Sequence, residues 1–245
     1  YMMKLFTKTL CHQDDSYIVA WSKGLKNKGF VSVEGITSKD PEVVAEISAI
    51  KYLLFNENIF NREITTGKGF QLICDPLIHK IHNGKTSRKH LEHSLFFLNH
   101  NFDGCLVTKM TRNHEELLPQ LDDEDLPVIT IKDSESIQDN DIIETPAIGR
   151  IRITSHALEQ YKQRLHSGEA ERPRRSLLKR LRHPEIRQKI LPDKVEKQKF
   201  RKYGTMENTE IWGHDSSQMH FVVVRDPSDQ LGTLVTVYKR HPDYQ

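Results

Sequence analysis

The acidic stretch across residues 121–145 most limits how this chain folds, because it interrupts every apolar pattern on either side. Nine Asp or Glu residues stand there against Lys132 alone. A segment so charged buries too little apolar surface to build a core, apart from one β-branched island, Val128-Ile129-Thr130-Ile131. Domain linkers are polar and interrupted. The 245-residue chain is therefore expected as two domains, 1–116 and 150–245, joined by an acidic linker at 117–149. Residues 150–202 carry the opposite charge, seventeen Lys/Arg against six Asp/Glu. Such asymmetry bears on partners and steering rather than on fold. The acidic stretch reads as a solvated linker, a cover for the basic region, or a surface for a protein partner.

Periodicity in the first part predicts an α/β order. Lys4–Leu10, Tyr17–Lys23 and Phe30–Glu34 read as strands, rich in β-branched and aromatic residues and separated by turn chemistry. Asp40-Pro41 reads as a helix start. The spacing of Val43, Val44, Ile47, Ile50, Leu53 and Leu54 predicts a helix with one buried face. Phe70–Cys74 is a short apolar strand, Pro76–His82 and Ser87–Asn99 are helices, and Gly104–Lys109 is a further strand. A meander followed by alternating helices and strands implies a mixed sheet flanked by helices.

This order resembles a ribonuclease H domain. In that family a first strand carries a catalytic Asp, a helix carries a Glu, and a later strand ends in a second Asp. On that resemblance Glu46 and Asp75 stand at the second and third carboxylate positions, and Lys8 replaces the first. Two-metal phosphodiester hydrolysis needs several acidic oxygens around paired Mg²⁺ ions, and an ammonium repels them. The resemblance thus implies a degenerate site, with Mg²⁺ as cofactor only if Glu46 and Asp75 are active. The plainer reading makes Glu46 an exposed helix residue and Asp75 the N-cap before Pro76.

The second part predicts α+β: helices first, then an antiparallel sheet. Ile151–Thr154 reads as a strand, Ser155–Leu165, Arg174–Arg182 and Pro184–Ile190 as helices. Phe200–Tyr203, Thr209–Trp212, Met219–Arg225 and Leu231–Lys239 read as strands. The run Ile153-Thr154-Ser155-His156-Ala157 through Arg164 and the closing Thr236-Val237-Tyr238-Lys239 resemble small ribonuclease toxins of the BrnT and RelE kind. That resemblance implies metal-independent RNA cleavage by the substrate's own 2′-hydroxyl. His156 would act as acid or base, Arg164 as a phosphate fork, and Tyr238 as a donor or stacking surface. Read plainly, His156 packs at a helix start, Arg164 pairs with an acid, and Tyr238 closes a strand.

The basic runs point to nucleic acid without any resemblance. Arg172, Arg174, Arg175, Lys179, Arg180 and Arg182, then Lys197, Lys199, Arg201 and Lys202, combine phosphate attraction with the aromatic Phe200 and Tyr203. The bland alternative is a solvated basic face. Three isolated cysteines and the lack of a signal-peptide apolar region at residues 1–6 predict a reducing, cytoplasmic setting. Histidine spacing suggests no metal site, and no run approaches the roughly 18 apolar residues of a membrane helix. The chain reads as a nucleic-acid-binding protein, RNA favoured over DNA, with nuclease-like domains. The rival reading is a non-catalytic component of a nucleoprotein assembly.

Overall fold

The computed structural model describes residues 2–85, 88–123, 125–133, 142–165, 173–190 and 208–240. Two compact units divide the chain, Tyr1–Asp141 and Ile142–Gln245, and each has a six-stranded mixed sheet. No helix among the described residues is long and apolar enough to cross a membrane. Cys11, Cys74 and Cys105 are free thiols.

In the first unit, β1 (Met3–Gln13), β2 (Ser16–Ser22) and β3 (Lys28–Glu34) form an antiparallel meander. Its first turn places Asp14 at φ 52, a left-handed position that Asp tolerates better than most residues. α1 (Pro41–Lys51) follows and ends in a π turn, Tyr52–Asn56. Next come β4 (Phe70–Cys74), α2 (Pro76–His82), and α3 (Lys89–Glu92), which runs into a 3₁₀ stretch at His93–Asn99. β5 (Leu106–Lys109), the short α4 (Arg112–Glu115) and β6 (Val128–Lys132) complete the unit. The strand order is β5-β4-β1-β2-β3-β6. β4 lies parallel to β1, β5 parallel to β4, and β6 parallel to β3.

Both faces of this sheet are covered. Successive strand residues point to opposite faces, and adjacent Leu5 and Phe6 are both buried. Leu5, Val19 and Val31 pack with Ile47, Ile50 and Leu54 of the α1 segment. Phe6, Ala20, Phe30 and Ile73 pack with Leu118 on the other face. Asp40 stands at the start of α1 as expected, but its side chain does not cap the helix. It pairs instead with Arg88 and with His90, the latter at 2.7 Å.

The expected linker is itself partly structured. Its β-branched island becomes β6, an edge strand of the first sheet. Residues nearer its end form β7 (Ile143–Thr145), an edge strand of the second. Backbone hydrogen bonding to a waiting sheet edge outweighs the local charge, because a strand needs only one buried face to dock.

The second unit continues through β8 (Gly149–Ile153), α5 (Ser155–Arg164), α6 (Pro173–Leu181) and β9 (Ile186–Gln188). It closes with β10 (Thr209–His214), β11 (Met219–Arg225) and β12 (Gly232–Lys239). The order is β7-β8-β12-β11-β10-β9, with β8 and β12 parallel and the other pairs antiparallel. Ala157, Tyr161, Leu177 and Leu181 of the two helices share one core with Ile151, Phe221, Leu234 and Val237. The helix expected over Pro184–Ile190 is instead the edge strand β9, with Ile186 beside His214 of β10. Seven residues are too few to repay helix nucleation, whereas β10 offers a ready row of partners. The strand expected at Phe200–Tyr203 lies outside the described residues.

Fully buried Tyr161 fixes α5 against α6 through its hydroxyl, 2.8 Å from Ser176 Oγ. Losing a buried hydrogen-bond partner costs about 1 kcal/mol. Ser176→Ala is therefore expected to lower the urea midpoint of the second unit with an unchanged m-value. An unchanged midpoint would mean that water replaces the serine.

Candidate functional site

Three elements of the first unit meet at one buried carboxyl. β1 alternates, so Leu5, Thr7 and Thr9 share the face toward α1, where Thr9 Oγ1 donates to the Glu42 carbonyl at 2.7 Å. Glu46 sits one turn further along α1 and is only 2 % exposed. Its Oε1 accepts from Thr7 Oγ1 at 2.8 Å and from the Asp75 backbone N–H at 3.0 Å. Glu46 thus ties β1 to the corner where β4 enters α2. The Asp75 carboxylate faces another task, accepting from Leu77 N–H at 2.6 Å and capping α2.

Burial dominates the electrostatics here. It pushes the Glu46 carboxyl up to about 8, since a charge removed from water is costly. The Asp75 carboxylate adds to that push, while the hydrogen bonds from Thr7 and from the Asp75 backbone oppose it. Burial, helped by Glu46 and Asp75, also raises the neighbouring Cys74 thiol well above its ordinary value.

Of the expected first-unit site, Glu46 and Asp75 come together and Lys8 does not join them. Lys8 lies between the inward Thr7 and Thr9, so strand alternation turns it to the opposite face. There its Nζ meets Glu115 of α4 at 2.9 Å, a solvent-exposed pair that contributes little. Thr7 is the residue that meets Glu46. Strand parity counted from buried Leu5 would have found it. The plain reading of Glu46 as an exposed helix residue is also corrected, whereas Asp75 does cap α2 as expected.

This donor set does not suit a pair of Mg²⁺ ions. Such ions need ionised oxygens free to coordinate. At the junction Glu46 Oε1 already accepts from Thr7 Oγ1 and the Asp75 N–H, and the Asp75 carboxylate is held by a helix N-terminus. Among the described residues no group of three or more His, Cys, Asp or Glu is placed to hold a metal.

The residues expected to form a second-unit site are not gathered. His156 opens α5, after Thr154 caps the helix by accepting from Ala157 N–H at 3.0 Å. Arg164 lies at the other end, about 12 Å of helix rise away. Its Nη1 donates to the Gln160 carbonyl at 2.7 Å, closing its own last turn. Tyr238 stacks on His220 of the paired strand, with centroids 5.3 Å apart and planes at 20°. Its chain neighbour Val237 belongs to the helix-covered core, so alternation turns Tyr238 to the other face. A period-3.6 argument puts His156 and Arg164 on one side of a helix but takes no account of the rise between them.

The second unit holds two polar features that its sequence did not announce. The Arg225 guanidinium reaches Glu210 at 2.8 Å and also donates to the Ile148 carbonyl. Burial alone would raise the Glu210 carboxyl, but hydrogen bonds from Arg225 and Trp212 outweigh it and hold the group low. Buried His214 sets its Nε2 3.0 Å from the Arg180 carbonyl at the end of α6. Burial holds its imidazole below the ordinary range.

α6 carries the described part of the basic region. Leu177 and Leu181, one turn apart, are buried in the core. At 100° per residue the opposite side of the helix presents Arg175, Lys179 and Arg182, all exposed. Arg182 Nε donates to the Glu144 carbonyl at 3.3 Å. Arg174 and Arg180 flank the stripe and are half-buried. Arg172, Lys197, Lys199, Arg201 and Lys202 lie outside the described residues.

No known protein family, curated protein or solved structure matches this chain.

Proposed function

We propose that this protein binds nucleic acid, RNA in preference to DNA, and holds it without cutting it. The observation that carries this reading is the exposed Arg175–Lys179–Arg182 stripe, fixed to the sheet by Leu177 and Leu181. Cations held in a row on a rigid helix attract phosphate backbone regardless of base sequence. In the first unit, the order β5-β4-β1-β2-β3, with an antiparallel meander and two added parallel strands, supports a ribonuclease H-like reading. So does the placing of Glu46 and Asp75. The neutral Thr7–Glu46 pair favours a non-cleaving scaffold over a metal-dependent nuclease. The dispersal of His156, Arg164 and Tyr238 favours binding over metal-independent cleavage in the second unit.

The test is incubation with labelled RNA, RNA–DNA hybrid and single-stranded DNA, with Mg²⁺ and with EDTA. Binding with every strand left intact is expected. Cleavage that EDTA abolishes would reinstate a metal site in the first unit. EDTA-resistant cleavage of RNA alone, leaving 2′,3′-cyclic ends and lost in His156→Ala, would reinstate the toxin-like reaction. Absence of binding to all three would sink the proposal.

A further inference from the structure

Beside the π turn, the first unit holds a cavity of about 530 Å³. It shares no residue with the Thr7–Glu46–Asp75 junction, and its volume lies within the roughly 300–1,000 Å³ range of ligand sites. Leu54, Phe55 and Ile64 supply apolar walls. Arg62, Glu63, Thr65 and Asn101 also line it. Among the described residues, no hydrogen bond or ion pair occupies the side chains of Glu63, Thr65 or Asn101. The Arg62 guanidinium has no carboxylate partner there and sits 6.0 Å from the centre of the Phe70 ring.

The local backbone is unusual in a way that builds this wall. Leu54 and Phe55 belong to the π turn Tyr52–Asn56, and single π turns in α-helices are frequently found at functional sites. Asn58 and Asn61 take left-handed backbone angles, φ 48 and φ 51. Asn58 Oδ1 accepts from Arg62 N–H at 2.9 Å, which fixes the start of the polar wall.

We infer that this cavity binds a guanine base, free or on a nucleotide. A carboxylate offers two adjacent acceptors, and guanine presents two adjacent donors, its N1–H and N2–H₂, to match Glu63. The guanidinium fork suits the O6 and N7 acceptors of the same base, which assigns Arg62. Partly exposed Phe55 gives the ring an apolar surface, and Thr65 and Asn101 remain for the sugar or the ring edge. Adenine lacks the paired donors and offers N6–H₂ where guanine accepts. The inference stands apart from the nucleic-acid reading of α6, which concerns the other unit.

Calorimetric titration of the full chain with guanosine, GMP and AMP tests it. Guanosine and GMP are expected to bind with similar affinity, and AMP roughly ten-fold or more weakly. Glu63→Gln should bring GMP down to the level of AMP, because the amide provides one acceptor where two are needed. Both charged residues are exposed, so the variant should keep its Tm, which the same samples report. Equal affinity for GMP and AMP, or no binding of any of the three at millimolar concentration, would overturn the assignment. So would binding of GMP without guanosine, which would make the ligand a phosphate held by Arg62. Substitutions in α6 that weaken RNA binding should leave the GMP titration unchanged, so failure of either proposal is visible separately.

Discussion

Glu46→Ala is expected to destabilise the first unit by on the order of 3 kcal/mol at pH 7, and Glu46→Gln by far less. Alanine leaves the Thr7 hydroxyl and the Asp75 N–H without their acceptor, and it opens a cavity under α1. Glutamine keeps an acceptor in place and mimics the neutral acid. The two variants also separate by pH. The folded carboxyl, pushed up to about 8, holds its proton more tightly than the unfolded one near 4.5. Its stabilising contribution is therefore complete below about pH 4.5, declines as pH rises, and is lost above about pH 8. Urea titrations between pH 5 and 9 should show a slope of up to one proton in the native protein, and Glu46→Gln should remove that slope. Parallel pH dependence in the two proteins would mean that Glu46 is ionised in the fold and that the junction is a charged site.

The second large effect is expected from the α6 stripe. Replacing Arg175, Lys179 and Arg182 together with glutamine should weaken single-stranded RNA binding at moderate salt by roughly ten- to a hundred-fold. The salt dependence should change with it. Each phosphate contact contributes about −0.7 to the slope of log affinity against log salt on a single strand, so losing three contacts flattens it by about 2. Leu177 and Leu181 anchor the helix from the opposite side, and surface substitutions of this kind usually leave stability within about 0.5 kcal/mol. Arg174→Gln and Arg180→Gln are expected to do less, because both residues are half-buried. An unchanged slope in the triple variant would make the stripe a solvated face.

Much of the secondary structure was legible because local rules govern it. The meander, the Pro41 helix start, the capping of α2 by Asp75, and the strands over Thr209–Trp212 and Met219–Arg225 all follow from turn chemistry, caps and alternation within a few residues. The misreadings arose where a partner far along the chain decided the outcome. Val128–Ile131, a strand-like island in an expected linker, belongs to the first sheet because β3 offers it an edge. Ile186–Gln188 became a strand because β10 does.

The candidate site divides in the same way. Sequence spacing alone put Glu46 on a helix packed on a sheet and Asp75 at a strand-to-helix corner, because side-chain direction within an element is set by its own geometry, but it marked Arg175, Lys179 and Arg182 only as members of basic runs. It did not choose between Thr7 and Lys8, which differ by one step of alternation and so by a whole face of the sheet. Nor did it separate His156 from Tyr238, whose surroundings depend on which strand face the helices cover. Only the packed structure brings Thr7 and Glu46 together across 39 residues of sequence. Enclosed between helix and sheet, the carboxyl loses its water, and burial pushes its pKa up. That clasp of Thr7, Glu46 and the Asp75 backbone is a consequence of packing and not of residue type.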